Sequence, residues 1–170
     1  MHTFDHHELG RTDETVKLEL REESQAAITR MAQQCSRSID IISRDLDPDL
    51  FDTAEFLDAV RAMILNNRRA RVRLLVMDPK KIVSKGHRMV ELARTLSSFI
   101  EFRVPSAEHR DFNEMLMVAD NTGYLHRLNP DRFEATVNFN DKLVSKHLML
   151  EFDEMWSKST TDSNLRKLTI

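Results

Sequence analysis

The chain has 170 residues, of which 41% are hydrophobic and 31% charged, and its net charge is -3. That length suits one domain with a real hydrophobic core, and the charge gives no global pull toward nucleic acid or anionic membranes. Only 3 Gly and 4 Pro argue against long disordered linkers, and no apolar run reaches the roughly 18–20 residues of a membrane span.

Residues 1–14 are polar and lack periodicity, which predicts a flexible N-terminal tail. Met1 to His7 has neither the basic start nor the apolar stretch of a secretory leader. The single Cys35 cannot form an internal disulfide and fits a reducing compartment, so a cytoplasmic location is expected. Val16, Leu18 and Leu20 alternate with polar residues, as in a strand. Residues 22–37 carry Ile28, Met31, Ala32 and Cys35 at helical spacing, which places Cys35 in the packing rather than in chemistry.

Residues 39–42 read as a second strand. Thr53 is a candidate N-cap, since its hydroxyl can accept from a free first-turn amide, and Phe56, Val60, Met63 and Ile64 form the inner face of the helix it starts. Residues 72–77 form a short apolar strand of the kind found in buried parallel sheets. A helix over 84–97 and a strand over 99–104 follow, ended by Pro105. Two strands at 115–119 and 124–128 flank Asn121-Thr122-Gly123, where Gly123 is expected to take a positive φ. A last strand at 135–139 precedes a helix capped by Asp141, with Val144, Leu148, Phe152 and Met155 inward. Residues 160–170 are expected as a C-terminal tail. The order predicts one α/β domain over 15–159, with a mixed, largely parallel sheet and helices on both faces.

Within this order, residues 113–120 read Asn-Glu-Met-Leu-Met-Val-Ala-Asp, and the chain closes with Ala135-Thr136-Val137-Asn138-Phe139 and a helix bearing Phe152 and Trp156. From Leu18 to Ser159 this resembles one half of a phospholipase D-like enzyme, whose motif is His-x-Lys-x-x-x-x-Asp. The resemblance implies that Asn113 stands in the place of the nucleophilic His, Met115 in that of the phosphate-gripping Lys, and Asp120 in that of the Asp. The chain also looks like a group of small bacterial proteins of unknown function that keep this half-fold without the motif. In that group Arg44-Asp45, Asp78-Pro79, Gly86-His87-Arg88 and Asp120 are expected to recur. Single-half relatives pair two copies, so the resemblance also implies a homodimer.

An Asn amide cannot form the phosphohistidine, and Met115 cannot neutralise phosphoryl charge, so no catalytic residue is assigned. Ligands of open α/β sheets bind beyond the carboxyl ends of strands, where Arg44, Asp78 and Asp120 are expected to converge, either as a binding edge or as a structural ion-pair network. His87 and Arg88 read either as an anion site at a helix start or as a solvated first turn. His126 and Arg127 either face the cleft or form a surface pair. Asn138 completes the candidate ligand-binding set, and His147 is expected to be partly buried. No cofactor is implied. His6 and His7 lack a third ligand, and Asp45, Asp47, Asp49 and Asp52 lack the Gly and closing Glu of a calcium loop.

The leading expectation is therefore a catalytically inactive binding or regulatory module for an anionic or phosphate-bearing ligand. The alternatives are a phosphodiesterase or nuclease using His87 or His126, and a nucleic-acid binder through the basic segment 61–88, which lacks interleaved aromatic residues for base stacking.

Overall fold

The computed structural model describes residues 3–162 and Leu165. The chain begins with β1 (Val16–Leu18), α1 (Arg21–Gln34), β2 (Ser38–Ser43), the short α2 (Pro48–Phe51), α3 (Ala54–Asn66) and β3 (Arg71–Val76). It continues with α4 (Lys80–Lys85), α5 (Arg88–Thr95), β4 (Ile100–Arg103), β5 (Met115–Ala119), β6 (Gly123–Arg127), β7 (Ala135–Asn138) and α6 (Lys142–Ser157). The seven strands form one mixed sheet in the order β1-β7-β6-β5-β2-β3-β4. Helices cover both faces, as the α/β reading expects. The parallel pairs are β2–β3 and β3–β4. The pairings β1–β7, β7–β6, β6–β5 and β5–β2 are antiparallel. The parallel part is thus smaller than the alternating N-terminal pattern implied, because β5 enters beside β2 in the reverse direction and its hairpin partners extend that half of the sheet.

The sheet divides two cores. One face packs Ile39, Ile41, Val72, Leu74, Met115 and Met117 against α1, α2, α3 and α5. The other packs Ile42, Leu75, Leu116 and Val118 against Leu148, Phe152 and Met155 of α6. Alternate residues of one strand therefore serve different cores. Local caps agree with the sequence: the Thr53 hydroxyl accepts from Phe56 N at 3.2 Å, and Asp141 accepts from Val144 N at 3.0 Å. The helix expected over 84–97 is instead two helices. Gly86, at φ 77°, ends α4 and His87 in extended conformation caps α5, a break that only a residue tolerant of positive φ allows.

Residues 3–14, expected as a loose tail, are laid against the domain. Phe4 is 2% exposed and stacks on Phe139 at 5.8 Å. Gly10 N donates to Phe139 O at 2.9 Å, and Asn138 Nδ2 donates to Asp13 Oδ1 at 3.0 Å and Thr15 Oγ1 at 3.1 Å. An irregular segment pinned by side chains leaves no periodic trace in sequence. At the other end, Thr160 bridges Val104 and Leu165 is buried; residues 163–164 and 166–170 of the expected C-terminal tail lie outside the described residues.

The hairpin departs from expectation in an instructive way. Asp120 and Asn121, both at φ 54°, carry the turn, and Thr122 N donates to Ala119 O at 3.0 Å. Two central residues of positive φ suit a two-residue β-turn of the primed type, for which Asn and Asp are favoured. Gly123 is not in the left-handed region. It is there for space: a Cβ would lie 2.6 Å from Leu9 Cδ1 and 3.2 Å from Phe139 O.

Candidate functional site

At one edge of the sheet the C-terminal ends of β2 and β6, the start of β5, and α4 enclose a cleft of about 450 Å³. Four of the sequence candidates line it: Arg44, His87, Asn113 and Arg127. Arg44 directly follows β2 and donates to the side-chain oxygen of Asn113 and, at 3.4 Å, to Phe112 O. The Asn113 amide is thus held by an arginine. Met115 lies beneath, 2% exposed.

His87 is buried and has no ring nitrogen to spare. Its Nε2–H donates to Leu46 O at 3.0 Å, which leaves Nδ1 to accept from Met89 N at 3.1 Å. Burial pulls its pKa below the ordinary value, despite the opposing charge of Asp52 and the Leu46 hydrogen bond. A neutral imidazole with both nitrogens engaged is a helix cap, not a general base.

Arg127 differs from the other cations of the cleft. Arg21 pairs with Asp49 at 2.7 Å and lies over the Phe133 ring at 4.4 Å, and Lys81 pairs with Asp45 at 3.4 Å. Among the described residues, no hydrogen bond or ion pair reaches the Arg127 guanidinium, and its Nε is buried without a partner. Burial pulls its pKa below the usual guanidinium value, with Asp47 and Asp45 opposing through space. Lys85, exposed on the rim, has no ion pair either.

The remaining candidates lie elsewhere. Asp120 is at the far end of β5, roughly 20 Å from Asn113 for an extended strand. There it accepts from Arg37 N at 2.7 Å and from Ser36 N and Ser38 N at 3.0 Å each. Burial pushes its pKa up, but the Cys35 thiol and the three amides prevail, and the net shift is down. Asn138 is at that same far end, pinning residues 13–15. Arg88 pairs with Asp52 at 2.7 Å. Asp78 accepts from Lys80 N at 3.2 Å, and its amide donates to Arg44 O, so it braces the loop beside the cleft without an ion pair to Arg44. His126 faces the α6 side and pairs with Glu114 at 2.6 Å. His147 is exposed rather than partly buried.

The basic segment 61–88 does not form one free stripe. Arg61 pairs with Asp58, Arg73 is tied to buried Asp40 and to exposed Asp153, and Lys81 and Arg88 have acids of their own. Of the acids in 45–52, Asp45 and Asp52 are spent on Lys81 and Arg88, and Asp47 and Asp49 on Arg21. Sequence reasoning did not assign Arg21 and Phe133 to the cleft. Neither belongs to a motif, and their approach depends on the 128–134 loop folding back over the start of α1.

This fold has counterparts among solved structures. Nuc from Salmonella typhimurium, a phospholipase D family member, superimposes with a TM-score of 0.61 at 11% identity, over 86% of this chain and 96% of its own. NucT from Helicobacter pylori gives 0.56 at 9%, covering 88% and 99%. TrmBL2, an archaeal chromatin protein described as binding DNA, gives 0.65 at 12%, over 94% of this chain. The present chain spans 57% of the length of TrmBL2. No curated protein matches in sequence. The fold is that of the phospholipase D-like proteins. Residues 20–168 match the domain of unknown function DUF7931, and the chain belongs to that family.

Proposed function

We propose that this chain is a catalytically inactive phospholipase D-like domain that binds an anionic, phosphate-bearing ligand in the cleft between Arg44, Lys85 and Arg127. The observation that carries this reading is a cleft with unpaired cations whose reacting position holds an amide. An amide offers no nucleophile, whereas unpaired cations in a recess favour an anion through charge-assisted hydrogen bonds. The histidine-dependent alternative finds little support: His87 has both nitrogens engaged, and His126 lies across the sheet against Glu114.

Calorimetry at low salt with pyrophosphate tests the proposal. Saturable binding is expected, weakened about tenfold or more in Lys85→Ala, the usual scale for losing a charge-assisted bond. No turnover of a generic phosphodiester is expected, with or without divalent metal. Absence of binding to pyrophosphate, or turnover that His87→Ala or His126→Ala abolishes, would overturn the reading. The homodimer implied by the resemblance belongs to the same reading. A light-scattering mass equal to one chain at micromolar concentration would remove that part.

A further inference from the structure

We propose that Arg127 is the residue that holds the ligand's phosphate. This rests on the cleft reading above and assigns the contact to one side chain. Antiparallel pairing of β5 and β6 puts Met115 directly opposite Arg127, and residues so paired project from the same sheet face with Cβ atoms about 5 Å apart. Arg127 therefore rises from the floor of the cleft beside buried Met115, below Asn113.

The other cations are committed or peripheral. Arg44 is turned onto Asn113 and Phe112, Arg21 onto Asp49 and the Phe133 ring, and Lys81 onto Asp45. Lys85 sits exposed on the rim. Arg127 alone among these five combines partial burial with a guanidinium that makes no ion pair or hydrogen bond among the described residues. Asp45 and Asp47 support its charge through space, but neither comes within ion-pair distance. A desolvated donor without an acceptor is costly to the folded state. An orphaned donor that lines an open cleft is explained by a ligand that supplies the missing acceptor, and a planar fork of N–H donors matches two phosphate oxygens at once. The ligand class is accordingly a compound with an exposed phosphate or pyrophosphate group small enough to reach the cleft floor, whose own oxygens accept from the guanidinium.

The test uses the full chain and pyrophosphate. Arg127→Met is expected to weaken calorimetric binding at least about tenfold, and Arg127→Lys, which keeps the charge but loses the fork, to fall between Met and wild type. Phenylglyoxal labelling of the wild-type protein provides a readout that needs no variant: peptide masses are expected to show Arg127 modified in the free protein and protected by pyrophosphate. Binding by Arg127→Met equal to wild type, with Lys85→Ala still weakened, would overturn the role of Arg127 and leave the cleft reading standing. Equal weakening in the Lys and Met variants, or labelling of Arg127 that pyrophosphate does not reduce, would likewise overturn it. No binding by wild type would remove both.

Discussion

Asp120→Ala is expected to destabilise the domain by about 3–5 kcal/mol, measured by urea denaturation at pH 7, because several buried donors lose one acceptor. The amides of Ser36, Arg37 and Ser38 all end on this carboxylate, as does the Cys35 thiol at 3.0 Å. These are the residues that join α1 to β2, so the carboxylate ties the β5–β6 turn to the entry of a central strand. Alanine would also have to adopt φ 54°, which costs a non-Gly residue extra. The pH dependence has a definite sign. The folded pKa of Asp120 is depressed, so its contribution is present above the unfolded carboxyl value of about 3.9 and is lost as pH falls through the lower folded value. The wild-type and variant stabilities should therefore converge below about pH 4. A constant gap down to acid-induced unfolding would show that the carboxylate's charge is not what matters. Cys35 fits the same picture: burial pushes its pKa well above the thiol range, with the Asp120 charge adding to the effect, so it is a donor in this cap and not a nucleophile.

Arg73→Met is expected to cost a comparable amount, about 3–5 kcal/mol, since it strips a buried carboxylate of its counterion. The Asp40 side chain is fully buried, 2.7 Å from Arg73 Nε, and its Oδ2 has no other partner. Arg73 also reaches Asp153 at 3.0 Å and lies over the rings of Phe152 and Trp156 at 4.7 Å and 5.3 Å, so it fastens α6 to the sheet through charge and ring face together. Burial pushes the Asp40 pKa up even with Arg73 in place. A raised carboxyl pKa favours folding at low pH and works against it as pH rises through the folded value. The Arg73→Met defect should therefore grow with pH above about 4. Adding Asp40→Asn should recover much of the loss, because the uncompensated charge then disappears. A double variant as unstable as the sum of the two singles would rule out this coupling and leave lost packing as the cause.

These two expectations concern residues that the sequence presents very differently. The family resemblance singles out Asp120, yet says nothing of the five donor atoms 82–85 residues upstream that its carboxylate satisfies. Asp40 attracts no notice in sequence, and Arg73 reads only as one cation of the basic segment 61–88. Their meaning comes from parallel pairing that sets Asp40 beside Arg73 on the face covered by α6. The helix caps at Thr53 and Asp141 were readable because a cap is a contact of three residues' reach. The break at Gly86-His87 was less so, since the apolar spacing of 84–97 continues across it.

The candidate site divides in the same way. Arg44, Asn113 and Arg127 meet in one cleft, whereas Asp120 and Asn138, named with them, sit at the opposite edge of the sheet. His87 is in the cleft but is consumed by its own helix start.

The sequence by itself determined the order of the strands and of the longer helices, the likeness to a phospholipase D-like half, and that Asn and Met rather than His and Lys stand at 113 and 115. Periodicity, capping and side-chain identity are local properties. Only the tertiary structure decided that the sheet is mostly antiparallel, that β5 carries Asn113 and Asp120 to opposite ends, and that Arg127 lies opposite Met115 with no side-chain partner among the described residues. Strand direction, register and burial arise from contacts between segments far apart in the chain, so no single stretch of sequence encodes them.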